Sequence, residues 1–250
     1  MRVDLQPAYV LHGRPYRDTS LLLEAFTAEH GRISLVARGA RRRSRGGSSG
    51  ALLQPFIPLL LSFSGRAELK TLTATEAAAP AVPLGGDRLF SALYLNELLS
   101  RLLHRNDPHP ELFAAYGEAL QALAAAGQLE AVLRRFEFRL LDELGYHLDC
   151  AVDGHSGEAV REECWYTYHA DHGLVVRSGA GNPSQPAFSG ADLLLIAAGQ
   201  YEGEARHAAR RLMRQVLAVH LGSAPLKSRE LFRRSGAVGP GPEDVTGEGQ

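Results

Sequence analysis

Gly31-Arg32-Ile33-Ser34-Leu35-Val36-Ala37-Arg38-Gly39-Ala40-Arg41-Arg42-Arg43-Ser44-Arg45 joins a strand pattern to the densest positive charge in the chain. Ile33, Leu35 and Ala37 alternate with Arg32, Ser34, Val36 and Arg38, the period of a half-buried β-strand. Five arginines lie from Arg38 to Arg45, and Gly46-Gly47-Ser48-Ser49-Gly50 follows, a backbone that is costly in entropy to immobilise. Such a loop has two readings. It is a phosphate-binding loop, or it is a solvated segment whose charges only keep the protein in solution.

Four more strand patterns surround this one: Ala8 to His12, Ser20 to Thr27, Phe56 to Phe63 and Ala67 to Thr73. His30-Gly31 and Ser64-Gly65 are turn signals that would pair the second strand with the third and the fourth with the fifth. Five short antiparallel strands with a long connection after the third fit an OB-like β-barrel, a fold that binds oligonucleotides on one face. An SH3-like barrel or a plain meander would give a similar string. Charge supports the first: residues 1 to 75 hold 11 Arg/Lys against 5 Asp/Glu, a charge of +6, which leaves −7 for the remainder of a chain whose formal total is −1. A positive module joined to a negative one suggests a polyanion at one end only.

Beyond Ala77 the composition changes to a linker rich in Pro, Gly and Ala that ends at Asp87, a good N-cap. Apolar residues then fall at helical spacing over three stretches, about Arg88 to His104, a helix opened by Pro110 and closing near Gly127, and Leu129 to Leu144 with Gly145 as its C-terminal stop. The expected organisation is α+β: an OB-like domain over 1–78, a linker over 79–86, an α-helical domain over 87–235 with a small mixed insertion at about 146–190, and a disordered tail over 236–250. Within the insertion, Trp165 to Tyr168 and Leu174 to Arg177 flank Asp171-His172-Gly173 as a hairpin. The chain shows no signal peptide and no apolar run long enough to span a bilayer, so a cytoplasmic location is expected.

Cys150 and Cys164, 14 positions apart among His147, His155, His169 and His172, raise the question of a metal. Zinc prefers closely spaced ligand pairs such as Cys-x-x-Cys, and neither cysteine has one, so no metal ligands and no cofactor are assigned. The motifs of nucleotide hydrolysis, acyl transfer and zinc proteolysis are missing, which favours a binding protein over an enzyme. The alternative from another class is a metal-dependent nucleic-acid enzyme using the Cys/His region, and a third is an adaptor whose basic loop binds an acidic protein.

Val10-Leu-His-Gly-Arg-Pro-Tyr16, Ser20-Leu-Leu-Leu23, Phe26-Thr27 with His30-Gly31-Arg32, Val36-Ala-Arg-Gly-Ala-Arg41, Leu53-Gln-Pro-Phe-Ile-Pro-Leu-Leu60, Leu93-Tyr-Leu-Asn-Glu-Leu-Leu99, Leu133-Arg-Arg-Phe-Glu137 and Leu226-Lys-Ser-Arg-Glu-Leu-Phe232 together, in that order and spacing, resemble the bacterial RecO recombination-mediator (DNA repair) family. The resemblance runs almost end to end. It implies an N-terminal OB-fold, a helical domain with a zinc-ribbon-like insertion, and a non-enzymatic role in repairing DNA damage by recombination. It also implies binding of single- and double-stranded DNA, annealing of complementary strands, contact with the single-stranded-DNA-binding protein, and work with RecR to load RecA onto coated strands, in the cytoplasm at the nucleoid. One branch of the family carries four zinc-binding cysteines; this sequence matches at most two and resembles the branch without the metal.

Combining the two readings gives the expected sites. Arg14, Arg17, Arg32, Arg38, Arg41, Arg42, Arg43 and Lys70 are the candidate DNA-binding residues, with Tyr9 and Tyr16 as possible platforms for base stacking. The acidic, aromatic-tipped C-terminal tail of the single-stranded-DNA-binding protein calls for an apolar pocket with a basic rim, for which Arg134 and Arg135, with Leu93 and Leu99 as walls, are the candidates.

Overall fold

The computed structural model describes residues 1–42, 49–125, 127–177, 186–222, 224–228 and 230–231. Five strands, β1 (Arg2–Tyr16), β2 (Ser20–Thr27), β3 (Gly31–Ala37), β4 (Leu59–Ser64) and β5 (Leu69–Ala77), close into a barrel in the order β1-β2-β3-β5-β4. Closure leaves no free edge to be protected. It is the OB-like architecture expected from the strand pattern, with differences of extent, among them β5, which runs over Leu69–Ala77 rather than Ala67 to Thr73. β1 begins at Arg2 and serves two partners, its first half pairing with β4 and its second with β2. The two pairings meet at Ala8, and within the first the register shifts between Val3 and Gln6, where Leu5 takes a left-handed φ of 51°. β4 starts at Leu59 rather than Phe56, immediately after Pro58, which has no N–H for a ladder. The β3–β5 pairing is parallel, which no local turn signal could announce.

The alternation read in β3 is observed. Ile33, Leu35 and Ala37 pack inside the barrel with Ala8, Val10, Leu23, Ala25, Leu59, Leu61 and Phe63. Residues facing outward from the barrel meet two different environments. Tyr9, Leu11, Phe26 and Phe56 belong to a second core shared with the helices α1 (Gly86–Leu102), α2 (Pro110–Ala124) and α3 (Leu129–Glu143). The Tyr9 ring lies 5.4 Å from Phe113 and 5.1 Å from Tyr116, and Phe26 lies 5.4 Å from Phe113. These tilted and edge-on contacts are the arrangements that aromatic quadrupoles favour. The Asn96 side chain donates to the Leu11 carbonyl at 3.0 Å and accepts from the Tyr116 hydroxyl, which satisfies the polar groups buried between barrel and helices. The segment expected as a linker is held against the barrel, with Val82 buried and its N–H donated to the Phe56 carbonyl.

Helix α1 begins at Gly86, so Asp87 lies in its first turn rather than at the cap; there the carboxylate still opposes the helix dipole. Gly145 stops α3 as read, with φ 79° and the Tyr146 N–H returning to the Leu141 carbonyl. The insertion holds the expected hairpin of β6 (Trp165–His169) and β7 (Gly173–Val176), extended by a third strand, β8 (Ala187–Ser189), that the sequence pattern missed because it is only three residues long. Two further helices follow, α4 (Gly190–Ala197) and α5 (Gly203–Leu221). The chain then returns to α1, where the Glu97 carboxylate accepts the Lys227 and Ser228 N–H groups, each at 2.8 Å.

One helix-to-helix contact overturns a site expectation. Arg134 is 7% exposed, and its guanidinium donates at 2.7 Å to Glu137, which is fully buried and also accepts from the Tyr94 hydroxyl at 2.5 Å. The pair is spaced i,i+3 on the inner side of α3 and cross-links it to α1. Arg134 is therefore part of the core and not a rim for a peptide, and Leu99, fully buried in the same core, is not a pocket wall. Removing one member of such a pair strands the other charge in apolar surroundings. The Glu137→Ala variant should lose about 3 kcal/mol or more of stability, measured as a lower urea midpoint at unchanged slope.

Candidate nucleic-acid interface

Three pieces of chain meet at one end of the barrel. β1 and β2 are joined by the turn Arg17-Asp18-Thr19, in which Arg17 takes φ 53°. β3 runs out through Arg38 into a turn at Gly39, whose φ of 69° lets the Arg42 N–H return to the Gly39 carbonyl at 2.9 Å. The two turns are tied together: Arg41 donates its N–H to the Thr19 carbonyl at 2.9 Å and its guanidinium to the Asp18 carbonyl at 3.4 Å. Gly50 donates to the Ala40 carbonyl at 3.1 Å, so the far end of the basic loop returns to where it began. β5 supplies the third wall through Leu69 and Thr71, which stand in register with Ser34 and Val36.

These pieces enclose an open groove of about 510 Å³ lined by Tyr16, Arg17, Thr19, Ser20, Val36, Arg38, Gly39, Arg42, Leu69 and Thr71. Arg14, Arg17, Arg38, Arg41 and Arg42 are all exposed. Among the described residues none of the five is paired with a carboxylate, in contrast to Arg2, Arg32, Arg105 and Arg139. Arg43 lies outside the described residues. Of the tyrosines considered as platforms, Tyr16 lines the groove, while Tyr9 is buried against Phe113 and Tyr116.

Two expected DNA contacts lie elsewhere. Arg32 faces outward from the barrel as its place in β3 requires, but that half of the strand is covered by the loop between α1 and α2. Its guanidinium donates to the Leu103 carbonyl at 3.1 Å and pairs with Glu24 at 3.4 Å, and the Asn106 N–H donates to the Arg32 carbonyl at 2.9 Å. The neighbouring Gly31 has φ 61° and sits so close to the Asp107 carbonyl that a Cβ would overlap it. Lys70 stands opposite Leu35, a barrel-core residue, is 6% exposed, and donates its ammonium to Asn106 at 2.7 Å. Burial lowers that ammonium from its ordinary value. Both cations serve the junction between barrel and helices and are not available to phosphate.

A second groove of about 590 Å³, with both apolar and charged walls, runs between α2 and α3. Glu111, Ala114, Ala115, Glu118, Ala119 and Ala122 form its α2 side, and Val132, Arg135, Phe136 and Arg139 its α3 side. Small residues at three- and four-residue spacing along α2 open the space, a pattern visible in the sequence itself. Of the residues expected here, Arg135 lies on the rim and is exposed, while Leu93 packs half-buried against the helical core and is not among the lining residues. Arg139 is occupied by Glu111 and Glu143.

In the insertion, Cys150 and Cys164 are free thiols. Burial, with a smaller contribution from Asp149, pushes the Cys150 thiol up to about 12, which disfavours the thiolate that a metal ligand must be. Among the described residues no three His, Cys, Asp or Glu side chains are grouped so as to hold a metal ion. No helix of the described residues is long and apolar enough to cross a membrane.

Comparison with known proteins fits this arrangement of barrel and helices. Residues 1–81 match the family model described as Recombination protein O N terminal, and residues 84–230 match Recombination protein O C terminal. The chain is 50% identical over 235 residues to a DNA repair protein RecO of Methylococcus capsulatus, covering 94% of this chain and 95% of that one. It is 47% identical over 242 residues to the protein of the same name from Nitrosococcus oceani (95% and 97% covered), and 49% identical over 230 residues to that of Pseudomonas putida (92% and 97%). With both family models matched in order and such relatives aligned over nearly their whole length, the chain belongs to the RecO family of DNA repair proteins.

Proposed function

We propose that the chain is a non-catalytic recombination mediator: it binds single- and double-stranded DNA, anneals complementary strands and, with RecR, helps load RecA onto DNA coated by the single-stranded-DNA-binding protein. The observation that carries the DNA-binding part is the exposed Arg17, Arg38 and Arg42 lining one groove, with Arg41 in the turn tied to it and Arg14 exposed on β1, all without carboxylate partners among the described residues. Guanidiniums that are neither paired nor buried keep their full attraction for phosphate, and the release of counterions from the nucleic acid drives binding. Such a surface holds backbone without reading sequence. Two strands held on one cationic surface have their mutual repulsion screened, which is the physical basis proposed for annealing. Kinship to the RecO family supports the roles of RecR and RecA, and a site of action in the cytoplasm at the nucleoid.

The groove between α2 and α3 is the proposed seat of the acidic, aromatic-tipped tail of the single-stranded-DNA-binding protein. Phe136 and the alanines of α2 would take the aromatic tip, and Arg135 the terminal carboxylates. Arg135 takes this role without Arg134, Leu93 or Leu99.

Reversing charge at Arg38, Arg41 and Arg42 to Glu should weaken binding to single strands and flatten the dependence of log affinity on log salt by about 2, since each phosphate neutralised contributes about 0.7. Fluorescence anisotropy over a salt series measures this, and an unchanged slope contradicts the assignment. Arg135→Glu should weaken binding of the acidic tail peptide about tenfold or more, as expected for loss of a hydrogen bond to a charged group, while leaving DNA affinity unchanged. A titration calorimeter reads the first effect and anisotropy the second.

A further inference from the structure

The basic groove has a floor as well as a rim. Tyr16, Val36 and Leu69 present ring and aliphatic surface between the guanidiniums of Arg17, Arg38 and Arg42. Leu69 is 39% exposed. Its neighbour Lys70 turns the other way, into the junction with the helices. The Arg17 guanidinium lies over the Tyr16 ring, 5.3 Å from its centre, which restrains the ring and joins its face to the cationic rim. Tyr16 is placed by the last pair of the β1–β2 ladder, opposite Ser20, so its backbone is fixed by the sheet rather than by the turn. Thr19 and Thr71 add hydroxyls at the border.

A duplex offers such a groove phosphates, sugars and base edges but no base face, because its bases are paired and stacked inside. An apolar floor beneath it would stay unused. An unpaired nucleotide offers what both parts fit: a flat apolar face for Tyr16 and Leu69, and a phosphate for Arg38 and Arg42. A volume of about 510 Å³ is within the range of clefts that enclose small ligands. We infer that this groove is a base-stacking site for an unpaired nucleotide, with Tyr16 as the platform, so that the barrel distinguishes single strands from duplex through the base and not through the backbone. The inference rests on the DNA-binding reading above and adds to it the ligand and the residue that selects it. Because every base has a π-face, the site takes any of the four.

The test compares the full chain with its Tyr16→Ala, Tyr16→Trp and Arg38→Glu/Arg42→Glu variants on three probes: an oligothymidylate, an abasic strand with the same number of phosphates, and a duplex of the same length. The Tyr16→Ala variant should bind the oligothymidylate about tenfold more weakly, in line with the loss of one stacked base. Its affinity for the abasic strand and the duplex, and its salt slope, should stay unchanged. Tyr16→Trp should restore oligothymidylate binding, which a merely structural role for the tyrosine would not require. Undiminished oligothymidylate binding by Tyr16→Ala, or an equal loss on all three probes, overturns the stacking site. If Tyr16→Ala is undiminished while Arg38→Glu/Arg42→Glu weakens all three, the stacking site alone fails and the cationic groove stands. If the arginine variant also binds all three as before, both fail together.

Discussion

The structure depends on the contact between one side of the barrel and the helical bundle, made by Tyr9 and Phe26 against Phe113 and Tyr116. This aromatic interlock gives barrel and helices one common core in addition to the barrel's own. Around it the polar links from Asn96 to Leu11, Arg32 to Leu103 and Lys70 to Asn106 satisfy groups that would otherwise be buried without partners. One consequence is that outward from the barrel does not mean outward from the protein. The β3 strand starts under the loop between α1 and α2 and leads out to an exposed Arg38, so Arg32 becomes a structural cation while Arg38 has no carboxylate partner among the described residues.

Arginines of this chain meet very different surroundings, and these, not residue type, set what each one does. Arg134 is sealed in the bundle with Glu137, where geometry and hydrogen bonds must compensate for lost hydration. Arg32 is half-buried and shared between Glu24 and a carbonyl. Arg14, Arg17, Arg38, Arg41 and Arg42 keep their hydration and have no carboxylate partner among the described residues. Such hydrated guanidiniums can exchange counterions for phosphate at little cost. Formal net charge conceals the division, because −1 for the whole chain averages a basic barrel end with an acidic remainder.

Much of this was legible in the residues. Alternation in Gly31 to Arg38 placed Ile33, Leu35 and Ala37 inside, and the helical periods and Gly145 located α1 to α3 to within a few residues. Local chemistry fixes such features, so a linear reading finds them. The parallel β3–β5 pairing, the covering of Arg32, the inward turn of Lys70 and the pairing of Arg134 with Glu137 depend on residues distant in sequence or on which face of α3 packs against α1. For Arg134 and Arg135 the sequence shows two adjacent cations on a helix. Successive residues on a helix point about 100° apart, and only the packed bundle decides which one faces the core and which one the groove.

The most direct test of the central claim is hydrogen–deuterium exchange of the full chain with and without an oligothymidylate. If the open end of the barrel is the DNA surface, exchange slows at residues 16–20 and 36–42 and is unchanged at 103–109, where the barrel is already covered by its own helices. Slowed exchange confined to the helices, with 16–20 and 36–42 unaffected, would contradict the account and move the DNA surface off the barrel.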